Sequence, residues 1–194
     1  MILNKCRVCN LSKLIKVFSL GSQPLANNLS SDDKEICEKY PLELNVCKFC
    51  FNCQLTHVVN PRKLFSNYLY QSSISRTLQK HFYLASRKYI SMFNLNKRKS
   101  VILDIGSNDG IGLLPFKKRG FKNLIAVEPS KNLASITSKL KIKTYNSFLN
   151  KKIAKKNYKR CNLITASNVF AHVNNVKQMT KNIFNCLHPN GILV

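Results

Sequence analysis

From Val101 onward, short apolar runs alternate with segments of helical spacing. Val101-Ile102-Leu103-Asp104-Ile105 is too short for a helix and carries one acid. A nearly continuous run of this kind marks a strand buried on both faces. Leu113 to Arg119 can be helix with Pro115 in its first turn, where proline is tolerated. Leu124 to Val127 is the next strand, and Ser130 is placed to N-cap a helix through Leu140. Ile142 to Tyr145 and Leu163 to Ala166 are expected as further strands, and Val176 to Leu187 as a helix. Pro189-Asn190-Gly191 reads as a turn, and Ile192-Leu193-Val194 as the start of a fifth strand. Strand and helix in alternation imply an α/β fold with a parallel sheet and helices on both faces. A last residue inside a strand leads us to expect the front part of a longer domain.

The chain upstream is different. Residues 1–61 hold six of the eight cysteines and have no sustained helical or strand period. Gly21-Ser22-Gln23-Pro24 and Asn27-Asn28 read as loop. Such a segment has too little core to fold without a staple. Residues 62–95 carry Leu78, Phe82, Ala85, Tyr89 and Phe93 at helical spacing and are expected as a helical connector. Residues 96–194 are the α/β domain.

Cys6-Arg7-Val8-Cys9 and Cys47-Lys48-Phe49-Cys50 are two C-x2-C pairs. Together they offer four thiolates, the donor set of a closed, structural zinc site with no open position for water. A redox C-x-x-C would not explain two copies. Cys53 and Cys37 could each displace a ligand, but Cys53 is expected to pack as a small apolar residue, as are Cys161 and Cys186. The first twenty residues are broken by Asn4, Lys5, Lys13 and Lys16. They contain no export-type apolar stretch, so disulfides are not expected and a cytoplasmic location is. No apolar run approaches the ~20 residues of a membrane span.

Lysine and arginine number 32 against 8 acids, a formal charge of +24. The lysines are scattered rather than gathered, which points to a compositional bias more than to a nucleic-acid partner. The acids are more informative. Asp32, Asp33, Glu35, Glu38 and Glu43 lie in one short stretch, and beyond it only Asp104, Asp109 and Glu128 remain. A chain with so few optional carboxylates is expected to keep those it needs.

All three fall at one candidate site. Gly106-Ser107-Asn108-Asp109-Gly110 follows the first strand and opens toward a helix. A glycine-rich turn there lets a ligand approach the backbone. Glu128 stands at the end of the next strand, where a carboxylate suits a ribose diol. A dinucleotide fold wants G-x-G-x-x-G, but the middle glycine is Asn108. Asp104 and Asp109 add negative charge that disfavours a pyrophosphate and accepts a sulfonium and an ammonium group.

These motifs, in this order, resemble the sugar C-methyltransferases of deoxysugar biosynthesis. The carriers are the two cysteine pairs, Gly21-Ser22-Gln23-Pro24-Leu25-Ala26-Asn27, Tyr40-Pro41-Leu42 and Gln54-Leu55. Leu64-Phe65-Ser66-Asn67-Tyr68-Leu69-Tyr70-Gln71-Ser72-Ser73 and Val127-Glu128-Pro129-Ser130 follow, then Asn168-Val169-Phe170-Ala171-His172-Val173. The resemblance implies a zinc-binding domain before a Rossmann-like class I methyltransferase sheet, here incomplete. It implies S-adenosylmethionine held by Asp104, Gly106, Ser107, Asn108, Asp109, Gly110, Glu128, Pro129, Ser147, Phe148 and Asn168. It implies a nucleotide-linked 4-keto deoxysugar as substrate, methylated through an enolate, with Tyr70 and His172 in the active site. Packing of Tyr70 and helix capping by His172 are the structural alternatives. The principal base of the family lies in a C-terminal half, expected on the same gene or on a partner chain. An RNA-directed methyltransferase and a non-catalytic zinc module are the competing expectations.

Overall fold

The computed structural model describes residues 2–26 and 37–194. The Asn27-Asn28 loop and the acids Asp32, Asp33 and Glu35 lie outside the described residues. The chain divides into two compact units: Met1–Phe65 with Asn174–Lys177, and Ser66–Val173 with Gln178–Val194.

The first unit is a three-stranded antiparallel sheet of β1 (Leu14–Pro24), β2 (Lys39–Cys47) and β3 (Cys53–Leu55), in the order β1-β2-β3. A short helix, α1 (Pro61–Phe65), follows it. Gly21-Ser22-Gln23-Pro24, expected as loop, is the end of β1 and pairs with β2 through Ser22–Pro41 and Gln23–Tyr40. The register breaks between Ser19 and Ser22. Gly21 takes a positive φ of 69° inside that break, which a side chain would resist. Pro24 is tolerated because β1 is an edge strand. The irregular register hid the strand from a search for regular alternation. Among the described residues up to Phe65, the buried side chains are Cys6, Asn45, Cys47 and Gln54. Val17, Phe18 and Leu20 are exposed, so no apolar core holds this sheet.

The second unit begins with a 3-10 turn (Ser72–Ile74) and a 17-residue helix, α2 (Arg76–Met92). Ser75 caps α2 by accepting a hydrogen bond from the Leu78 N–H. Its strands are β4 (Val101–Ile105), β5 (Asn123–Val127), β6 (Lys143–Tyr145), β7 (Cys161–Thr165) and β8 (Leu187–Leu193). They form an all-parallel sheet in the order β6-β5-β4-β7-β8. Side chains of β4 alternate between two cores. Val101, Leu103 and Ile105 face one side, against α5 (Lys151–Lys156) and α6 (Val176–Cys186). Ile102 faces the other, with Leu113, Phe116 and Phe121 and with Tyr89, Ile90 and Phe93 packed against them. Ile102, Leu103, Leu163 and Ile164 are fully buried, each contributing about 2 kcal/mol. The central strands β4 and β7 therefore hold the sheet together.

Two local expectations change, the Ser130 cap and the turn near the C-terminus. Ser130 stands at the N-terminus of α4 (Lys131–Lys139) but makes no side-chain cap. Its Oγ bonds Asn132 and accepts from the Tyr68 N–H instead. The lysine-rich helix α5 is capped by Asn150 Oδ1, which accepts from the Ile153 N–H at 3.0 Å. Pro189-Asn190-Gly191 is not a free turn but a bulge within β8, between the pairs Cys161–Leu187 and Leu163–Ile192. Gly191 is needed there because a Cβ would collide with the Cys161 carbonyl. No helix among the described residues is long and apolar enough to cross a membrane.

Candidate functional site

The cysteine pairs of the first unit share one backbone design. The Asn10 N–H donates to Cys6 O and the Phe51 N–H to Cys47 O, each at 2.9 Å. The Cys6 N–H donates to Leu11 O and the Cys47 N–H to Asn52 O, each at 3.0 Å. The residue after each pair turns left-handed, with φ 66° at Asn10 and 59° at Phe51. The sulfurs of Cys6, Cys9, Cys47 and Cys50 all lie within 4.8 Å of one another. Cys6–Cys50 is 3.5 Å and Cys9–Cys47 is 3.6 Å. A tetrahedron with zinc–sulfur bonds of ~2.3 Å has edges of roughly 3.8 Å, so the four thiolates fit a zinc ion.

Burial raises the Cys6 thiol, but the Cys9 and Val8 N–H groups outweigh it and bring its pKa down to about 6. The Cys50 and Phe49 N–H groups lower Cys47 against burial. Both shifts favour the thiolate that a metal needs. Cys9 moves the other way: the Leu11 backbone bond lowers it, but burial and the neighbouring thiols outweigh that bond and bring its pKa up to about 12. Buried Gln54 braces the first pair, accepting from the Arg7 N–H at 2.8 Å and donating to Lys5 O at 3.2 Å. Cys53 is exposed rather than packed and lies outside the sulfur cluster among the described residues. Cys161 and Cys186 are buried in the second unit, where burial pushes them up to about 12 and about 11.

In the second unit, the segments after β4, β5, β6 and β7 emerge at the carboxyl edge of one sheet. The chain runs from β4 to β5 on one side and later returns to β7 on the other. This strand-order switch opens a crevice in parallel sheets. Gly106 lies at it: its φ is 65° and a Cβ would meet Val169 Cγ2 at 2.8 Å. The loop is drawn onto the sheet by Gly106 N–H to Val127 O at 2.8 Å. Glu128, 5% exposed, accepts from the Asn108 N–H and the Ser130 N–H at 2.8 and 2.9 Å. Burial raises its pKa; those two N–H groups oppose the rise and Asp109 adds to it. Asp104 accepts from Thr165 Oγ1 at 2.6 Å. Burial pushes its pKa from 3.8 to about 7, against the Thr165 hydrogen bond and with help from Glu128.

Asp104, Asp109 and Glu128, the acids of residues 66–194, are all buried around this loop. Ser107 Oγ and Asp109 Oδ1 are buried with no hydrogen-bond partner among the described residues. A ligand offering donors and positive charge suits such a site; a pyrophosphate does not. The other expected residues surround it unequally. Pro129 is half-buried, Phe148 is 40% exposed, and Asn168 and His172 are exposed. Ser147 accepts from Asn150 Nδ2 and donates to Phe148 O. Tyr70 is 47% exposed, and its carbonyl accepts from Asn108 Nδ2 at 3.1 Å.

Gly112 was missed. A Cβ there would stand 2.7 Å from Asp104 Oδ2, so only glycine lets the helix entrance close over that carboxylate. The spacing Gly110-x-Gly112 was the available signal. Thr137 was also missed; its hydroxyl donates to Asn108 O at 3.0 Å.

The fold and this edge site define a class I methyltransferase-type domain, built on a parallel sheet with its acids under a glycine-turn loop. A methyltransferase-domain family model matches residues 76–194. The chain belongs to that family. A second model, described as "Putative zinc binding domain", matches residues 6–65. The chain is 26% identical over 195 residues to the C-methyltransferase NovU of Streptomyces niveus, and it spans 46% of that protein's length. It is similar in fold to a protein of Methanococcus maripaludis described as a "putative s-adenosyl-l-methionine-dependent methyltransferase". The TM-score is 0.54 and the identity 20%, over 63% of this chain and 58% of that one. The cofactors of this pairing are S-adenosylmethionine and zinc, and the acidic loop and the four-thiolate cluster fit them.

Proposed function

We propose that this chain is the methyl-donor-binding portion of an S-adenosylmethionine-dependent C-methyltransferase acting on a nucleotide-linked 4-keto deoxysugar. The observation that carries it is the convergence of Asp104, Asp109 and Glu128 on one loop in a unit whose other side-chain charges are all positive. Likeness to the NovU C-methyltransferase supports transfer to carbon, and the sugar substrate is carried by the ordered motifs of the chain that resemble the sugar C-methyltransferases. S-adenosylmethionine, when bound, supplies an electrophilic methyl group.

The chain's own residues hold it and shape the field around it. Gly106 and Gly110 keep the loop backbone close. Glu128 serves the ribose hydroxyls while it fixes the Asn108 and Ser130 N–H groups. Asp104 and Asp109 place negative charge where a sulfonium and an ammonium group are accommodated. Ser107, the backbone of Asn108, Pro129, Ser147, Phe148 and Asn168 complete the surround. Methylation at carbon needs loss of a proton beside a carbonyl and donors for the resulting oxyanion. Tyr70 and His172 are the groups we assign to that side of the site.

Calorimetry with S-adenosylhomocysteine on the zinc-loaded chain tests this function. Glu128→Gln keeps the size of the side chain and removes its charge. Losing a hydrogen bond to a charged group costs about 1.5 kcal/mol or more, so affinity should fall at least tenfold. No binding by the folded wild-type chain would overturn the assignment.

A further inference from the structure

Asn108 and Asp109 sit in the candidate cofactor loop, yet each side chain also reaches a distant part of the chain. Asn108 Oδ1 accepts from the Ser72 N–H at 3.0 Å, and Asn108 Nδ2 donates to Tyr70 O at 3.1 Å. Asp109 Oδ2 accepts from the Ser73 N–H at 3.0 Å. Three consecutive hydrogen bonds therefore tie the segment Tyr70–Ser73 to the loop across 36 residues of sequence or more. The backbone of Asn108 is held separately, by Glu128 through its N–H and by Thr137 through its carbonyl. Asn108 has a φ of 51°, a conformation that asparagine and glycine tolerate and most residues resist. The loop can thus keep its shape without the clamp.

We propose that Asn108 and Asp109 are positioning residues that make closure of the loop on the methyl donor and placement of Tyr70 a single event. The clamp gives the donor site a mechanical hold on the segment we assign to the methyl acceptor. Filling one site therefore orders the other. This coupling rests on the donor-binding function proposed above.

The test uses the full zinc-loaded chain, S-adenosylhomocysteine and amide hydrogen exchange resolved at Ser72 and Ser73. In the wild type the ligand should slow exchange at both amides at least tenfold. Asn108→Gly preserves the positive φ and deletes the two Asn108 bonds of the clamp, leaving Asp109 Oδ2 on the Ser73 N–H. The ligand should still bind, weakened less than tenfold, but protection at Ser72 should no longer respond to it. Asn108→Asp keeps the acceptor for the Ser72 N–H and should restore that response. Ligand-linked protection of the Ser72 amide surviving in Asn108→Gly would overturn the coupling alone. So would complete loss of binding by folded Asn108→Gly, since the side chain would then serve the ligand directly. A wild-type chain that binds no S-adenosylhomocysteine would instead overturn the donor-binding function, and the coupling with it.

Discussion

Asp104 is the one ionisable residue of β4, whose other members are apolar. Burial opposes its charged form, and the Thr165 hydroxyl only partly offsets this, leaving its pKa at about 7 rather than 3.8. The native state therefore keeps a proton that the unfolded chain releases. Stability contributed by the neutral form is fully present below about pH 4 and is lost as pH rises toward 7. One such group gives a slope of at most about 1.4 kcal/mol per pH unit. Urea unfolding between pH 4 and pH 7 should show wild type losing stability faster than Asp104→Asn. Equal slopes in the two proteins would refute the assignment.

At the scale of elements, the two cysteine pairs show a sheet assembled around a metal. The described residues of the first unit bury two cysteines, Cys6 and Cys47, and two amides, Asn45 and Gln54, but no aliphatic or aromatic side chain. Free energy of zinc binding, about 10 kcal/mol or more in small zinc domains, exceeds what that burial supplies. We expect one zinc per chain by atomic absorption, and loss of that stoichiometry in Cys47→Ser. Chelation should speed exchange at the Cys6, Asn10, Cys47 and Phe51 amides, which carry the backbone bonds of the two pairs. Slow exchange at those amides after complete zinc removal would show that the sheet stands without the metal. The parallel sheet is built differently. There β4 and β7 are buried on both faces, and two apolar cores flank them.

At the scale of the whole molecule, charge is the distinguishing quantity. Residues 66–194 carry twenty-three lysines and arginines and three carboxylates, and the carboxylates are all buried. The ion pairs found among the described residues, Lys16–Glu43 and Lys63–Glu38, both lie in the first unit. Exposed side-chain charges of residues 66–194 are therefore all positive and repel one another. Screening should relieve this. Raising sodium chloride from ~20 mM to ~200 mM, across which the Debye length falls severalfold, should raise the melting temperature by several degrees. An unchanged or falling value would show that the cations are too dispersed to matter. The amino-acid sequence by itself determined the parallel strands, the connecting helices, the four-thiolate set and the glycine-turn loop. Each is a local pattern, written in apolar period or short spacing. Tertiary structure alone decided that Asn108 and Asp109 turn to Ser72 and Ser73, that Gly112 makes room for Asp104, that Gly21 kinks a strand rather than ending it, and that His188–Gly191 bulges within β8. These depend on what the folded chain brings back against each residue. A sequence period records which face is buried, and the identity of a hydrogen-bond partner many residues away leaves no trace in it.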